Sequence, residues 1–424
     1  MSSSPPRRLT TLHLLLTAPG DDRVAHHTLS VNMMTYYGEH VPDAARAAGV
    51  QGTLGRRLAF TAQSEVEGVR RSECVWHLHS AAPLGTEAKR PADQPDALRP
   101  WAEAALSAHT PARAPWFQAG WQEGALAWLD EELAAQGLTR TAAPQVLKHW
   151  QISLLWRVPT DRGKVYFKAV PSFFAREVSA TPVLAREIPG AAPAVLAADQ
   201  ERGFLLLADS GEAEPGDLTG VMQHLAAVQR ASLPLLPALE LRDRGPAYLR
   251  AWLPRLLSDE TLLTGQDGGF TPQEAALLRT RQAELDAALV HLAASPLPLT
   301  LGHGDLHSGN VTAQDAQVTL LDWSDICRTH PFLDANPAYL APPGTPSEVL
   351  DAARDAYLSA WTDHLPLPEL RALHADALLA GELLRALGYV DGIQEAVEDK
   401  SEWAGAHLHH LRRLLPAQAT APSS

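Results

Sequence analysis

Asp305, Asn310 and Asp322 are the residues of this chain whose types and spacing most directly suggest chemistry. They lie in Leu299–Trp323, LTLGHGDLHSGNVTAQDAQVTLLDW, which has an apolar entry, a polar loop, a turn, and an apolar run ending at Asp322. A carboxylate at Asp305 can accept the proton of an attacking hydroxyl. Asn310 offers a neutral oxygen to a hard cation and Asp322 a charged one. Magnesium takes few protein ligands and completes its shell with water and phosphate oxygens, so one Asn and one Asp suffice for a nucleotide–magnesium site. Together the three residues point to phosphoryl transfer, in which a protein mainly positions reactants and neutralises charge.

The spacing from Asp305 to Asn310 is that of the protein-kinase catalytic loop. His303-Gly304 stands where protein kinases carry His-Arg, Asp322-Trp323-Ser324 replaces Asp-Phe-Gly, and no Ala-Pro-Glu follows. HGDLHSGN (His303–Asn310) followed by Leu321-Asp322-Trp323 resembles the aminoglycoside phosphotransferase / choline kinase family of small-molecule kinases. The resemblance implies ATP and Mg2+ as cofactors, Asp305 as catalytic base, and Asn310 and Asp322 as metal ligands. It implies that His303 and His307 shape the loop and that Asp334, in His330–Asp334 (HPFLD), braces it. Upstream, Val165–Ala169 (VYFKA) resembles the strand that presents a lysine, Lys168, to the nucleotide phosphates, with Glu177 as its ion-pair partner. Ser153 falls where a glycine-rich loop is absent, and Leu207 and Ala208 resemble the hinge that meets the adenine edge. No G-x-x-x-x-G-K-[ST] motif occurs, which disfavours a P-loop enzyme.

These residues need elements to hold them. The expected architecture is α+β: a bilobal protein-kinase-like fold, with a β-rich N-lobe and a helical C-lobe, preceded by a small mixed α/β domain. The boundaries read as 1–82 for that domain, 83–142 for a linker and connecting helices, 143–215 for the N-lobe, and 216–424 for the C-lobe. In the first part, Leu9–Thr17, Leu29–Met34 and Ser72–Ser80 read as strands and Val41–Gly49 as a short helix. Cys74, His77 and His79 form no complete zinc set, since Cys74 and His77 face opposite ways in a strand. The hairpin-rich start loosely resembles a Nudix domain without its acidic helix. Nothing catalytic is recognisable before about residue 110, so that segment reads as separable from catalysis.

Ala81–Pro100 is proline-rich, and Gln122–Gln136 reads as a helix whose leucines and Trp128 face a core. Val146–Val158 and Lys164–Val170 are β-rich, joined by the turn at 159–163. From Gly216 the period is helical: Leu218–Ala231, Tyr248–Leu257, Pro272–Ala294, Pro346–His364, Glu369–Leu387 and Asp391–Leu415. His407, His409 and His410 read as solvated residues of the last helix.

Composition bounds the partners. At 424 residues, with 46% hydrophobic and 20% charged residues, the chain is globular and long enough for more than one core. A formal charge of −14 disfavours nucleic acid and anionic membrane. Two cysteines far apart imply no disulfide framework, and neither a signal peptide nor a membrane span is read, so a cytoplasmic location is expected. The expected acceptor is a hydroxylated small molecule, neutral or cationic. Glu395, Glu398 and Asp399, at helical spacing, and Trp403 beside them are the four candidate acceptor residues. The rival from another class is a nucleotide-binding pseudoenzyme or adaptor; such proteins lose the base or a metal ligand, and neither is lost here.

Overall fold

The computed structural model describes residues 7–66, 68–265, 268–314 and 317–416. Packing divides the chain into two units, Met1–Pro171 with Arg202–Leu207, and Ser172–Glu201 with Ala208–Ser424.

In the first unit, β1 (Arg7–Thr17), β2 (Ala25–Val31), β3 (Thr53–Val66) and β4 (Val69–His79) form a sheet in the order β2–β1–β4–β3. β1 runs parallel to β4, and the other pairs are antiparallel. Alternation along β1 sends Leu12, Leu14 and Leu16 into one apolar cluster and Leu15 into another, so both sheet faces require cover. α1 (Val41–Ala47) supplies Val41 and Ala45 to the first face. α2 (Arg99–Leu106) supplies Ala102 and Ala105 to the second. β3 is a strand the sequence reading lacks. Arg56 and Arg57 interrupt its apolar pattern, and the pairing with β4 shifts register twice around them.

The same unit continues through α3 (Trp121–Ala135), β5 (Gln145–His149), β6 (Leu154–Thr160) and β7 (Gly163–Ala169). The β-rich stretch expected over Val146–Val158 is therefore two antiparallel strands, separated by a turn in which the Trp150 indole donates to Ser153 Oγ at 2.6 Å. Trp121 and Trp128 of α3 pack edge-on against Phe204, and Trp128 also tilts on Phe167, which makes them core residues. Packing runs without interruption across residues 82 and 142. His149 lies against Gly55 O through Nε2 at 2.6 Å, Tyr37 O accepts its backbone N–H at 2.7 Å, and the Trp116 indole donates to Trp150 O at 2.9 Å. Cys74, His77 and His79 each have separate partners, Thr35 O, Thr17 Oγ1 and Phe117 O respectively, as ordinary strand residues do.

The second unit holds α4 (Ala175–Glu187) and β8 (Val195–Asp199); β9 (Phe204–Ala208) ends in it. Its helices are α5 (Leu218–Ser232), α6 (Pro246–Ser258), α7 (Glu260–Leu263), α8 (Pro272–Thr280) and α9 (Gln282–Ala294). The single helix expected over Pro272–Ala294 is divided at Arg281, which caps α8 and opens α9. The strands β10 (Thr300–Gly302), β11 (Val311–Gln314), β12 (Gln317–Leu320) and β13 (Cys327–Thr329) pair as two short ladders, β10 with β13 and β11 with β12. α10 (Pro337–Leu340), α11 (Ser347–Ser359) and the 22-residue α12 (Leu367–Gly388) follow. One apolar cluster joins α5, α6, α9, α11 and α12 to β10 and the 331–334 turn through residues such as Leu225, Leu253, Leu289, Leu301, Phe332 and Leu383.

The helix expected over Asp391–Leu415 is not continuous. A π-turn at Tyr389–Ile393 ends α12, and one α-turn, α13 (Gln394–Ala396), follows it. Val397 is extended, Lys400–Trp403 is a 3₁₀ turn, and α14 (Ala406–Arg413) begins after Gly405. Acidic residues spaced for one helix face thus fall on three separate pieces of backbone. His407 and His410 are buried, not solvated: His407 contacts Leu262 O, and His410 pairs with Glu382 at 3.0 Å. Among the described residues no helix is long and apolar enough to cross a membrane.

Candidate active site

The polar loop expected from HGDLHSGN runs between β10 and β11, and Asp322 follows β12, so the two short ladders hold the loop and Asp322 in one place. Gly304 makes the loop's sharp entry. Its φ is +82°, and a Cβ there would stand 2.5 Å from Asp325 O, so only glycine fits. Buried Asp334 accepts the backbone N–H of His303 at 2.5 Å and of Gly304 at 3.1 Å. Hydrogen bonds to a charged group contribute about 1.5–3 kcal/mol each, so this carboxylate stiffens the approach to Asp305. His303 packs on Trp323 with ring centroids 4.7 Å apart, and its Nε2 meets Leu321 O at 2.8 Å. The Trp323 indole in turn donates to Ala191 O at 2.7 Å. His307 accepts the Gly309 N–H through Nδ1, with Nε2 3.7 Å from Asp305 Oδ2.

Asp305 itself is partly exposed at the loop's tip. Arg385 Nη1 donates to its Oδ1 at 2.8 Å, and Nη2 donates to Leu306 O. The Arg385 guanidinium lies 3.9 Å over the Tyr339 ring, whose hydroxyl donates to Glu382. Sequence reasoning missed Arg385. Its signal was a single arginine inside the leucine-rich run Leu383–Leu387 of α12, where a charge is costly unless paired.

Asn310 is buried, and its amide donates to Asp305 O at 3.0 Å, which leaves the amide oxygen as a donor for a cation. Asp322 adopts a left-handed conformation, φ 61°, of the kind held at functional positions. One hydroxyl, Ser324 Oγ, stands 2.6 Å from Asp322 Oδ1 and 2.9 Å from Glu177 Oε2. A hydroxyl carries one proton and can donate to only one of these carboxylates at a time. The oxygen-only donor set of Asn310 and Asp322 fits magnesium.

Glu177 therefore sits with Ser324 and Asp322 in the second unit, on α4. Lys168, buried on β7, Ser153, whose hydroxyl accepts from Trp150, and Leu207 belong to the first unit. Ala208 closes β9, its N–H donating to Ala194 O at 2.8 Å.

Of the four candidate acceptor residues, Glu395 lines a cavity beside Ser324 that also includes Arg244, Asp325 and Asp391. Glu398, Asp399 and Trp403 are not among its lining residues. Asp399 caps the 3₁₀ turn by accepting from Ser401 N at 3.0 Å, and Trp403 is buried. Asp391 Oδ2 accepts from Tyr248 at 2.5 Å and from Arg242 at 3.0 Å.

A family model described as the phosphotransferase enzyme family matches residues 155–366, which span the catalytic loop, Asp322 and Asp334. This bears out the resemblance read from the loop motif. No curated protein matches the chain. Among solved structures, a choline/ethanolamine kinase family protein from Mesorhizobium loti is 18% identical, with a TM-score of 0.48, and the match covers 69% of this chain and 94% of that one. A macrolide 2'-phosphotransferase from Brachybacterium faecium is 17% identical, TM-score 0.48, over 71% of this chain and 99% of that one. A choline kinase from Cryptosporidium parvum is 13% identical, TM-score 0.49, over 69% and 95%.

Proposed function

Because this chain belongs to the phosphotransferase enzyme family, whose members are small-molecule kinases, we propose that it moves the γ-phosphoryl group of ATP to a hydroxyl of a small molecule. The observation that carries the reading is the braced loop, with Asp334 holding the His303 and Gly304 amides so that Asp305 projects at its tip. Asp305 accepts the hydroxyl proton as the new oxygen–phosphorus bond forms and the bond to the ADP leaving group breaks. Arg385 keeps the Asp305 carboxylate in one orientation. Asn310 and Asp322 would hold magnesium, which supplies neutralising charge to the phosphate oxygens. Lys168 is proposed as the lysine that binds the nucleotide phosphates, with Glu177 as its partner. Ser153, Leu207 and Ala208 are carried as nucleotide-side residues on the strength of the family pattern. Both cysteines, Cys74 and Cys327, are buried free thiols, in keeping with action in a reducing, cytoplasmic setting.

The test is incubation of the protein with ATP, magnesium and a panel of hydroxylated metabolites, followed by mass spectrometry for a phosphorylated product. A phosphomonoester formed only with active protein supports the reading. ADP release without any phosphorylated acceptor across a broad panel contradicts it.

A further inference from the structure

Beside the catalytic loop, within the second unit, lies a cavity of about 200 Å³. Its charged lining centres on Arg244 and Asp325. Arg244 is only 5% exposed, yet among the described residues its buried Nε has no hydrogen-bond partner. The nearest acid is Asp325, whose Oδ1 stands 3.7 Å from Nη1, too far for a hydrogen bond. A guanidinium carries five N–H donors in a planar fork that matches a carboxylate. With Nε unbonded and only a 3.7 Å ion pair to Asp325, this buried fork keeps donor capacity for a ligand.

Arg244 is also held rigidly to the catalytic segment. Its backbone N–H donates to Arg328 O at 2.9 Å, and its carbonyl accepts from Thr329 Oγ1 at 2.9 Å, which ties it to β13, the partner of β10. Asp325 packs its Cβ under Gly304, the residue before Asp305. Burial pushes the Asp325 carboxyl up to about 6, opposed by Arg244 and reinforced by Asp305, Asp322 and Glu177. The neighbouring cation Arg242 is already matched, since Asp391 accepts from it and from Tyr248. Besides that matched pair the cavity is lined by Arg176, Arg244, Asp325 and Glu395, and Arg244 and Asp325 meet only in a long ion pair of 3.7 Å, with no hydrogen bond between them. The wall that carries Asp391 and Gly392 is the π-turn that ends α12, an arrangement frequent at functional sites.

We infer that this cavity seats the acceptor and that the acceptor is a compact zwitterion, a hydroxylated amino acid in chemical class, with its carboxylate on the Arg244 fork and its ammonium on Asp325. An ammonium there faces Asp325 with Glu395 at the margin, and the hydroxyl extends past Gly304 toward Asp305. This narrows the expectation of a neutral or cationic acceptor, because a ligand with a lone positive charge leaves Arg244 unmatched. The inference rests on the phosphotransferase reading for the fate of the hydroxyl, but not for binding.

The experiment is calorimetric titration of the full chain with L-serine, L-threonine and L-homoserine, with amino alcohols that lack the carboxylate (ethanolamine, propanolamine), and with hydroxy acids that lack the ammonium (lactate, hydroxybutyrate). ATP-dependent phosphorylation of each is measured in parallel. At least one amino acid is expected to bind more than tenfold tighter than its counterparts of either kind, and Arg244→Gln and Asp325→Asn are each expected to lose more than tenfold of that affinity. Equal or tighter binding of the single-charge probes, or no binding of any zwitterion to the wild-type chain, overturns the inference whatever the variants do. The two readings fail separately. Binding of a zwitterion with no phosphorylated product from it or from a broad panel of hydroxyl compounds leaves this site standing and sinks the kinase reading, whereas phosphorylation confined to the amino alcohols or hydroxy acids does the reverse.

Discussion

Arg385 grips Asp305 from α12: its Nη1 donates to Asp305 Oδ1 at 2.8 Å while its Nη2 donates to the neighbouring Leu306 carbonyl. The two contacts fix both the side chain and the backbone of the proposed base, and they come from a residue outside the segment matched by the family model.

Arg385→Gln is therefore expected to lower kcat by about 10²-fold, since a base displaced by roughly 1 Å loses that much, with little change in KM for ATP. Arg385→Lys keeps the charge but cannot span both acceptors, so it should fall between the two. Steady-state kinetics, with thermal melting as a control for lost packing against Tyr339, checks this. A variant with wild-type kcat contradicts the positioning role.

Asp322→Ala should weaken magnesium-dependent turnover more than Asn310→Ala, because a carboxylate offers the metal a full charge and an amide only a dipole. Titrating turnover with magnesium for each variant decides it. Unchanged metal dependence in Asp322→Ala rules out the ligand role.

The catalytic loop is legible in the sequence because its chemistry and its backbone demands coincide in one short stretch: Gly304 for the turn, Asp305 at the tip, Asn310 behind it. Asp334, 31 residues from His303, is legible only through the family resemblance of HPFLD. Arg385 is not, since its partner is 80 residues away and α12 reads as a plain amphipathic helix. Arg244 looks like any surface arginine, yet in the fold it is 5% exposed and tied through its backbone to β13. The acidic run after Asp391 misleads because helical spacing in sequence does not require a helix. Tyr389–Ile393 widens to a π-turn and Val397 goes extended, so the shared face never forms. β3 is hidden by its own arginines. The first unit shows the limit most plainly, because contacts such as His149 to Gly55 join segments that read as separate domains.

Those contacts predict that a chain beginning at Pro111 loses folded stability. It leaves His149 without Gly55, and it removes Trp76 and Leu54, which form the cluster that Val146 packs against. Soluble yield and thermal midpoint are the measurements, and a fragment that melts like the full chain contradicts the prediction.

Acid should destabilise the protein through its buried histidines. Burial lowers His149 to about 3, His330 to about 3 and His374 to about 4. Each is held neutral in the fold but protonates near 6.5 when unfolded. Their contribution is thus fully present above about 6.5 and is lost as pH falls from there toward the folded values. For His149 the loss at pH 5 is about 2 kcal/mol at 1.36 kcal/mol per unit. Denaturant unfolding of wild type and His149→Gln at pH 7 and pH 5 tests it. The variant should lose less stability between the two pH values, and an identical loss contradicts the assignment.

The central claim is that Asp305 is the base of a phosphoryl transfer, and Asp305→Asn tests it most directly. With the acceptor identified by mass spectrometry, single-turnover transfer from ATP is compared in wild type and variant, with nucleotide affinity measured alongside. A fall of about 10²–10⁴ in rate, the usual cost of losing a general base, with nucleotide affinity nearly unchanged, is the predicted result. A variant that keeps more than a tenth of the wild-type rate contradicts the account.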